Sequence, residues 1–353
     1  MASFIQTVLG PVSPSAIGRI MHHEHLVSLV PGPWLSGGRN PAERGESAPT
    51  ESAAMEDQVA RAAGALSGLK ALGYDTVVDL SPYDVVGRSA MGENVDFLRT
   101  ISERSGIHIV AGSAVYLEPY SPLWTREMTL ADLTQRFTRD VTHGIGNSAV
   151  RAGILGEQAT GLGHITEHEE KCLRAASRAQ ADTGVSLVTH TTHGTMALEQ
   201  VDIVTQEGAD IERVVIGHMD IQPDLDYVLR TLDTGVNIAF DTIGKQYWDF
   251  VLDPGPVDPP EGEYAKRAYF RSDAGRVSRL VELVERGYGR QLLLGLDLTG
   301  AEVYLNPDTH GQWGYSYLGA VFLPNAIDAG LDREWAHALV RDNPLRLLTQ
   351  VSG

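Results

Sequence analysis

The chain of 353 residues is short of cysteine, of basic charge and of long apolar runs. Its one cysteine, Cys172, excludes an internal disulfide and a thiolate metal cluster, and its place in a helix-patterned stretch predicts a buried structural thiol. Lysine and arginine number 28 against 46 aspartates and glutamates, a formal charge of −18 that repels phosphate backbones and anionic lipid. Neither nucleic acid nor a membrane is expected as a partner. Nowhere does the chain approach the roughly 18 uninterrupted apolar residues of a membrane span, and Met1-Ala2-Ser3-Phe4-Ile5 lacks the basic start and apolar core of a secretion signal. A cytoplasmic location is expected. With 42% hydrophobic and 21% charged residues, no low-complexity tail and no repeat beyond a strand-helix alternation, the composition suits one globular domain over 1–353.

What is present is that alternation. Apolar, β-rich runs occur at Arg19 to His23, Thr76 to Leu80, His108 to Ser113, Ala152 to Leu155, Val185 to Val188, Val214 to Gly217, Asn237 to Phe240 and Gln291 to Leu294. Helical spacing of apolar residues marks Met55 to Leu72, Asn94 to Arg104, Leu130 to His143, Glu167 to Thr183, Met196 to Glu207, Asp224 to Leu232 and Ser272 to Arg286. Glycines that would stop a helix precede several of the strands, as in Thr183-Gly184-Val185 and Thr234-Gly235-Val236. Strand-helix units repeated in this way predict a (β/α)₈ TIM barrel, whose chemistry lies at the C-terminal ends of its strands.

Side chains suited to metals stand at those ends. His23 and His25 flank Glu24 at the close of the first run, and alternation along a strand turns both to one face. Glu157, His190, His218 and Asp297 follow the fourth, fifth, sixth and eighth runs. Imidazole and carboxylate together suit zinc, with manganese, cobalt or iron as alternatives, and a carboxylate can bridge two cations about 3.5 to 4 Å apart. His23, His25 and Asp297 come from strands that become neighbours when a barrel closes, so they would hold one ion. His190 and His218 would hold the other, with Glu157 between. A hydroxide shared by the cations would attack the electrophile, and Asp297 would accept its proton. Glu24 faces away and would brace a helix or a neighbouring backbone, and His22 would point opposite to His23. His108, His143, His168 and His337 read as structural or surface residues, whereas His193 and His310 follow ligand-bearing strand ends and are candidate pocket residues. Tyr116, after the third strand, is a candidate substrate contact or a packing residue.

Two segments exceed the short-loop expectation. Leu29 to Ser52 is rich in proline and glycine, and Gly244 to Arg271 combines Asp253-Pro254-Gly255-Pro256 with Trp248, Phe250, Tyr264, Tyr269 and Phe270. Each would cover the pocket or form a surface or subunit contact. Leu298 to Leu318, with Tyr304, Trp313, Tyr315 and Tyr317, is a third candidate wall.

The serial motifs Gly18-Arg19-Ile20-Met21-His22-His23-Glu24-His25-Leu26, Ala152-Gly153-Ile154-Leu155-Gly156-Glu157, Thr189-His190-Thr191, Val215-Ile216-Gly217-His218-Met219-Asp220, Ala239-Phe240-Asp241-Thr242-Ile243-Gly244 and Asp342-Asn343-Pro344 resemble those of the phosphotriesterase family of the amidohydrolase superfamily. The resemblance covers essentially the whole chain. It implies a distorted (β/α)₈ barrel, a binuclear metal centre and a homodimer, with metal-ligand roles at His23, His25, Glu157, His190, His218 and Asp297. Many members of that family bridge their metals with a carboxylated lysine; Glu157 is similar to the subgroup that uses glutamate. Organophosphate-hydrolysing members relay a proton from the eighth-strand aspartate through a histidine after the seventh strand to an aspartate after the sixth. The corresponding stretches here are Asp241-Thr242 and Asp220-Ile221, without that histidine. Hydrolysis of a small-molecule lactone or related carboxylic ester is therefore the expectation, because the leaving alkoxide of a lactone stays tethered. Phosphoester or organophosphate hydrolysis is the alternative, and a metal-dependent binding protein without turnover is a third reading.

Overall fold

A short antiparallel pair, β1 (Ser3–Thr7) and β2 (Gly10–Val12), opens the chain and is completed by β11 (Gln350–Val351), with Ser3 opposite Val351. The apolar runs between them form eight parallel strands: β3 (Arg19–Glu24), β4 (Tyr74–Asp79), β5 (His108–Ser113), β6 (Ile154–Thr160), β7 (Leu187–Thr191), β8 (Val214–Ile216), β9 (Asn237–Phe240) and β10 (Leu292–Leu294). They pair in chain order from β3 to β10. The residues just after β10 close the ring: Asp297 N donates to His23 O at 3.0 Å and His25 N to Leu298 O at 3.0 Å. The result is a nearly closed (β/α)₈ barrel, as the alternation predicts. This computed structural model describes residues 3–27, 52–245, 272–300, 303 and 314–351. The Leu29 to Ser52 segment up to residue 51, the Gly244 to Arg271 segment from residue 246, and Tyr304, His310 and Trp313 lie outside the described residues.

Helices α1 (Ser52–Ala65), α2 (Asp96–Ser105), α3 (Leu123–Glu127), α4 (Leu130–Thr142), α5 (Glu167–Thr183), α6 (Ala197–Gln206), α7 (Leu225–Asp233) and α8 (Asp273–Glu285) lie between the strands. Helix α5 shows how local chemistry sets their limits. Thr166 Oγ1 accepts from Glu169 N at 3.2 Å while the Glu169 carboxylate accepts from Thr166 N at 3.1 Å, a reciprocal cap. At the other end Gly184, at φ 71, adopts the left-handed conformation that stops the helix, as the sequence predicts. Glu169 also accepts from Gly161 N and Glu118 N, so the cap ties the β5 and β6 exits to α5.

Period-two alternation divides the strand side chains between two cores. Ile20, Val78, Val110, Ile154, Val188, Val215, Ala239 and Leu293, one from each strand, form the inner cluster, and Ile5, Ile17, Leu347 and Leu348 join it. Met21, Val77, Ile109, Leu155, Leu187, Val214, Ile238 and Leu292 join the outer cluster with helix residues such as Leu173, Val204 and Leu280. Several strands begin or end away from their expected bounds, and in two of them the difference reaches candidate ligands. β6 continues three residues past Glu157 and β7 one past His190, so these side chains lie within strands rather than after them.

Candidate metal centre

Strand irregularities aim the first candidate ligands. The pairing of β3 with β4 shifts register between Met21 and Glu24, and that of β6 with β7 between Leu155 and Gln158. Such shifts re-aim side chains locally. His23 and His25 nonetheless share a face, with ring centroids 5.4 Å apart. Glu24 faces away, accepting from Leu296 N at 3.0 Å and Leu298 N at 3.1 Å, which selects backbone bracing from its two expected roles. His22 joins neither group of ligand atoms; burial lowers its pKa to about 3, with neighbouring His23 adding to the effect, and both ring nitrogens lack hydrogen-bond partners.

His218 and Asp297 follow their strands in the left-handed region, at φ 57 and φ 51, conformations that cost a non-glycine residue energy. Preceding His218, Gly217 lies so close to β7 that an added Cβ would sit 2.3 Å from Thr189 O. Gly217→Ala should therefore displace the strand pair carrying His190 and His218. A loss of about 1–3 kcal/mol, the range for overpacking, is expected in thermal unfolding. An unchanged midpoint would show that the site tolerates the shift.

The six expected residues converge. Ligand-type atoms of His23, His25, Glu157 and Asp297 form one group within 4.8 Å of one another, and those of Glu157, His190 and His218 form a second, with all six residues buried. Glu157 belongs to both groups: its carboxylate lies 3.5 Å from His23 Nε2, 3.6 Å from His25 Nε2, 3.3 Å from His190 Nδ1 and 3.3 Å from His218 Nε2. Two buried atoms facing this centre, His23 Nε2 and Glu157 Oε2, make no hydrogen bond. An orphaned imidazole nitrogen beside an orphaned carboxylate oxygen is costly in an apolar interior and is the donor set a divalent cation satisfies. The residues fit a divalent metal centre, and each of the two groups could hold an ion.

A surrounding layer fixes the rings. Asp241, just past β9, accepts from His23 Nδ1 at 2.7 Å and from His218 Nδ1 at 2.9 Å, which turns both Nε2 atoms inward. His25 Nδ1 meets Ser81 Oγ at 3.2 Å, and His190 Nε2 meets Thr192 Oγ1 at 3.3 Å. Lys245 Nζ donates to Asp297 Oδ2 at 2.6 Å. Ser81, Asp241 and Lys245 are not among the site residues expected from the sequence. Asp241 carried a signal, since it too ends an apolar strand. Ser81 carried the same signal, directly following the Thr76 to Leu80 run, and Lys245 carried none.

Charges in this cluster shift one another. Burial, the largest effect on each, would lower His23 and His218, but the surrounding carboxylates, Asp241 foremost with Glu157 and Asp297, together outweigh it and raise both, His218 well above the usual imidazole range. Burial alone would raise Asp241, Asp297 and Glu157, but the surrounding cations hold all three below the usual carboxylate range: His218 and His23 at Asp241, Lys245 foremost at Asp297, His23 foremost at Glu157. Histidines raised in this way stabilise the metal-free fold below about pH 6.5 and lose that contribution as pH rises through their folded values. The depressed carboxylates stabilise it above about pH 4 and lose that contribution as pH falls through their folded values. Cation binding must displace the histidine protons. The difference in melting temperature between metal-loaded and chelator-treated protein should thus widen from about pH 6 to about pH 8. A difference that narrowed over that range would contradict the protonation pattern.

A cavity of about 380 Å³ opens onto the centre, within the size range of small-molecule sites. Val85, Val86, Leu117 and Tyr120 give it an apolar wall, and Thr192, His193 and Glu169 a polar one. Tyr116 lines it with its hydroxyl 3.5 Å from His190 Nδ1; burial, then Glu157 and Asp297, raise its pKa well above the usual phenol range. His164 lines the cavity without having been singled out. His193 is also there. His168 instead packs between Thr125 and Cys172, and burial pushes the Cys172 thiol up to about 12, consistent with an inert structural residue.

The profile of the phosphotriesterase family matches residues 3–348. The chain is 30% identical over 254 residues to an Escherichia coli phosphotriesterase homology protein, covering 72% of this chain and 78% of that one. It is 27% identical to a Rattus norvegicus N-acetyltaurine hydrolase, covering 98% and 97%. A mutant of a Deinococcus radiodurans PTE-like lactonase superimposes with a TM-score of 0.78 at 29% identity, covering 98% of this chain and 99% of that one.

Proposed function

The chain belongs to the phosphotriesterase family, and on that premise we propose that it is a binuclear metal-dependent hydrolase of lactones or related carboxylic esters. His23, His25 and Asp297 would hold one cation, His190 and His218 the other, with Glu157 between them. Two divalent cations bound there would supply a water that is deprotonated at neutral pH and a Lewis acid for a carbonyl oxygen. Asp297, kept ionised by its surroundings, is the proton acceptor within the first group of ligands. Tyr116 stays a neutral phenol and can donate a hydrogen bond to a substrate oxygen near His190. Asp241 does not compete as a base because both its oxygens are engaged by histidines.

The observation that carries the choice of a lactone or ester over a phosphotriester is the state of Asp220. Its carboxylate is bound by Arg276 Nε at 2.6 Å and by the hydroxyl of Thr242, in the Asp241-Thr242 stretch that lacks the relay histidine. A carboxylate held this way is a poor terminus for a proton leaving Asp297. A lactone has less need of that route, since its leaving oxygen remains part of the product. The second reading is an N-acyl amide, supported by the nearly whole-length similarity to N-acetyltaurine hydrolases.

One metal-loaded preparation assayed on lactones, aryl esters, N-acyl amides and phosphotriesters tests the proposal. The highest kcat/KM is expected on lactones or esters. Phosphotriesters turned over fastest would restore the alternative reading. No turnover of any substrate with both cations bound would leave a ligand-binding protein.

A further inference from the structure

We propose that Lys245 is a positioning residue for Asp297, set in place by a buried Arg276 clamp, and that it divides the two oxygens of that carboxylate between protein and cation. The inference rests on the assignment of Asp297 to the first cation site. Lys245 Nζ donates to Asp297 Oδ2 at 2.6 Å, while Oδ1 faces His25 Nε2 at 3.0 Å and His23 Nε2 at 3.6 Å. One oxygen thus points to the ligand cluster and the other to the ammonium. Asp297 leaves β10 in a left-handed conformation; the bond from its N to His23 O fixes the backbone but not the carboxylate, so a side-chain partner is needed to choose between carboxylate orientations.

The turn that delivers Lys245 is anchored from several directions. Lys245 N donates to Thr242 O at 3.1 Å, and Arg276, 2% exposed on α8, donates to Thr242 Oγ1 at 2.9 Å and to Lys245 O at 3.5 Å. The same guanidinium pairs with Asp220 at 2.6 Å and with Asp273 at 2.8 Å, and Asp273 in turn accepts from Gly244 N and Tyr317 Oη. Burying an arginine and two carboxylates is costly unless each is paired, and here the pairing closes on the Thr242–Lys245 turn. Asp220 is thereby assigned to holding the turn. Lys245 itself is 8% exposed, so its ammonium is confined rather than sampling solvent.

Cobalt-loaded Lys245→Met and Lys245→Arg test the proposal against wild type. Methionine should weaken binding of one of two cobalt equivalents by about 10- to 100-fold, the range for removing a group that orients a metal ligand. It should also alter the visible cobalt spectrum and lower kcat more than it changes KM. Arginine, which keeps a charged donor, should restore most of the spectrum and part of kcat. Should the methionine variant fail to fold by circular dichroism, Lys245→Gln carries the same comparison, keeping a donor without the charge. A methionine or glutamine variant with the wild-type spectrum and cobalt affinity, and a change confined to KM, would overturn the proposal and place Lys245 on the substrate. Cobalt affinity and spectrum are read without substrate. They therefore stand even if wild-type protein hydrolyses no lactone or ester, the result that would defeat the functional reading alone.

Discussion

Asp297→Asn should lower kcat by on the order of 10² or more, the range for loss of a general base, with a native circular dichroism spectrum at room temperature. Asparagine keeps the shape and one liganding oxygen of Asp297, but not the charge that accepts a proton. The Lys245 contact adds a second expectation. Removing the charge leaves a buried ammonium facing a neutral amide, so the melting temperature should fall although the fold is retained. The discriminating measurement is turnover at verified metal content. Near wild-type turnover with both cations bound would show that the proton goes elsewhere.

Glu157→Ala should release most of the bound metal and abolish activity with it. Glu157 is common to both groups of ligand atoms, and its Oε2 is one of the buried atoms without a hydrogen bond. Its removal takes the shared anion from both cation positions, and the four surrounding imidazoles are then left facing one another. His190 Nδ1 and His218 Nε2 are already 2.8 Å apart. Because the side chain is a glutamate rather than a carboxylated lysine, metal loading of wild-type protein should not depend on bicarbonate. Metal analysis after dialysis reads both points. An alanine variant that kept two tightly bound ions at full rate would remove Glu157 from the centre.

Which parts of this architecture could be read from the chain follows from the range of the forces involved. The barrel strands and α5 were legible because period-two runs, a capping threonine and a terminal glycine act within a few residues of one another. His23, His25, Glu157, His190, His218 and Asp297 were legible because each interrupts or ends an apolar strand, where a polar group is tolerated only if the barrel mouth uses it. The β1–β11 pairing was not legible, since Ser3 and Val351 meet only after the whole chain has folded. Nor were the bond from Lys245 to Asp297, 52 residues apart, and that from Arg276 to Asp220, 56 apart. Their local sequence looks like ordinary loop and helix surface, and closure of the barrel alone brings the charges together. Asp241 lies between these cases: its position was visible, but its contact with two histidines required coordinates.

Anomalous scattering from crystals of the metal-loaded protein tests the central claim most directly. Two peaks are expected about 3.5–4 Å apart, the Glu157 carboxylate between them, with His23, His25 and Asp297 on one and His190 and His218 on the other. A single peak, or peaks away from Glu157 in protein that is fully active, would contradict a two-cation centre.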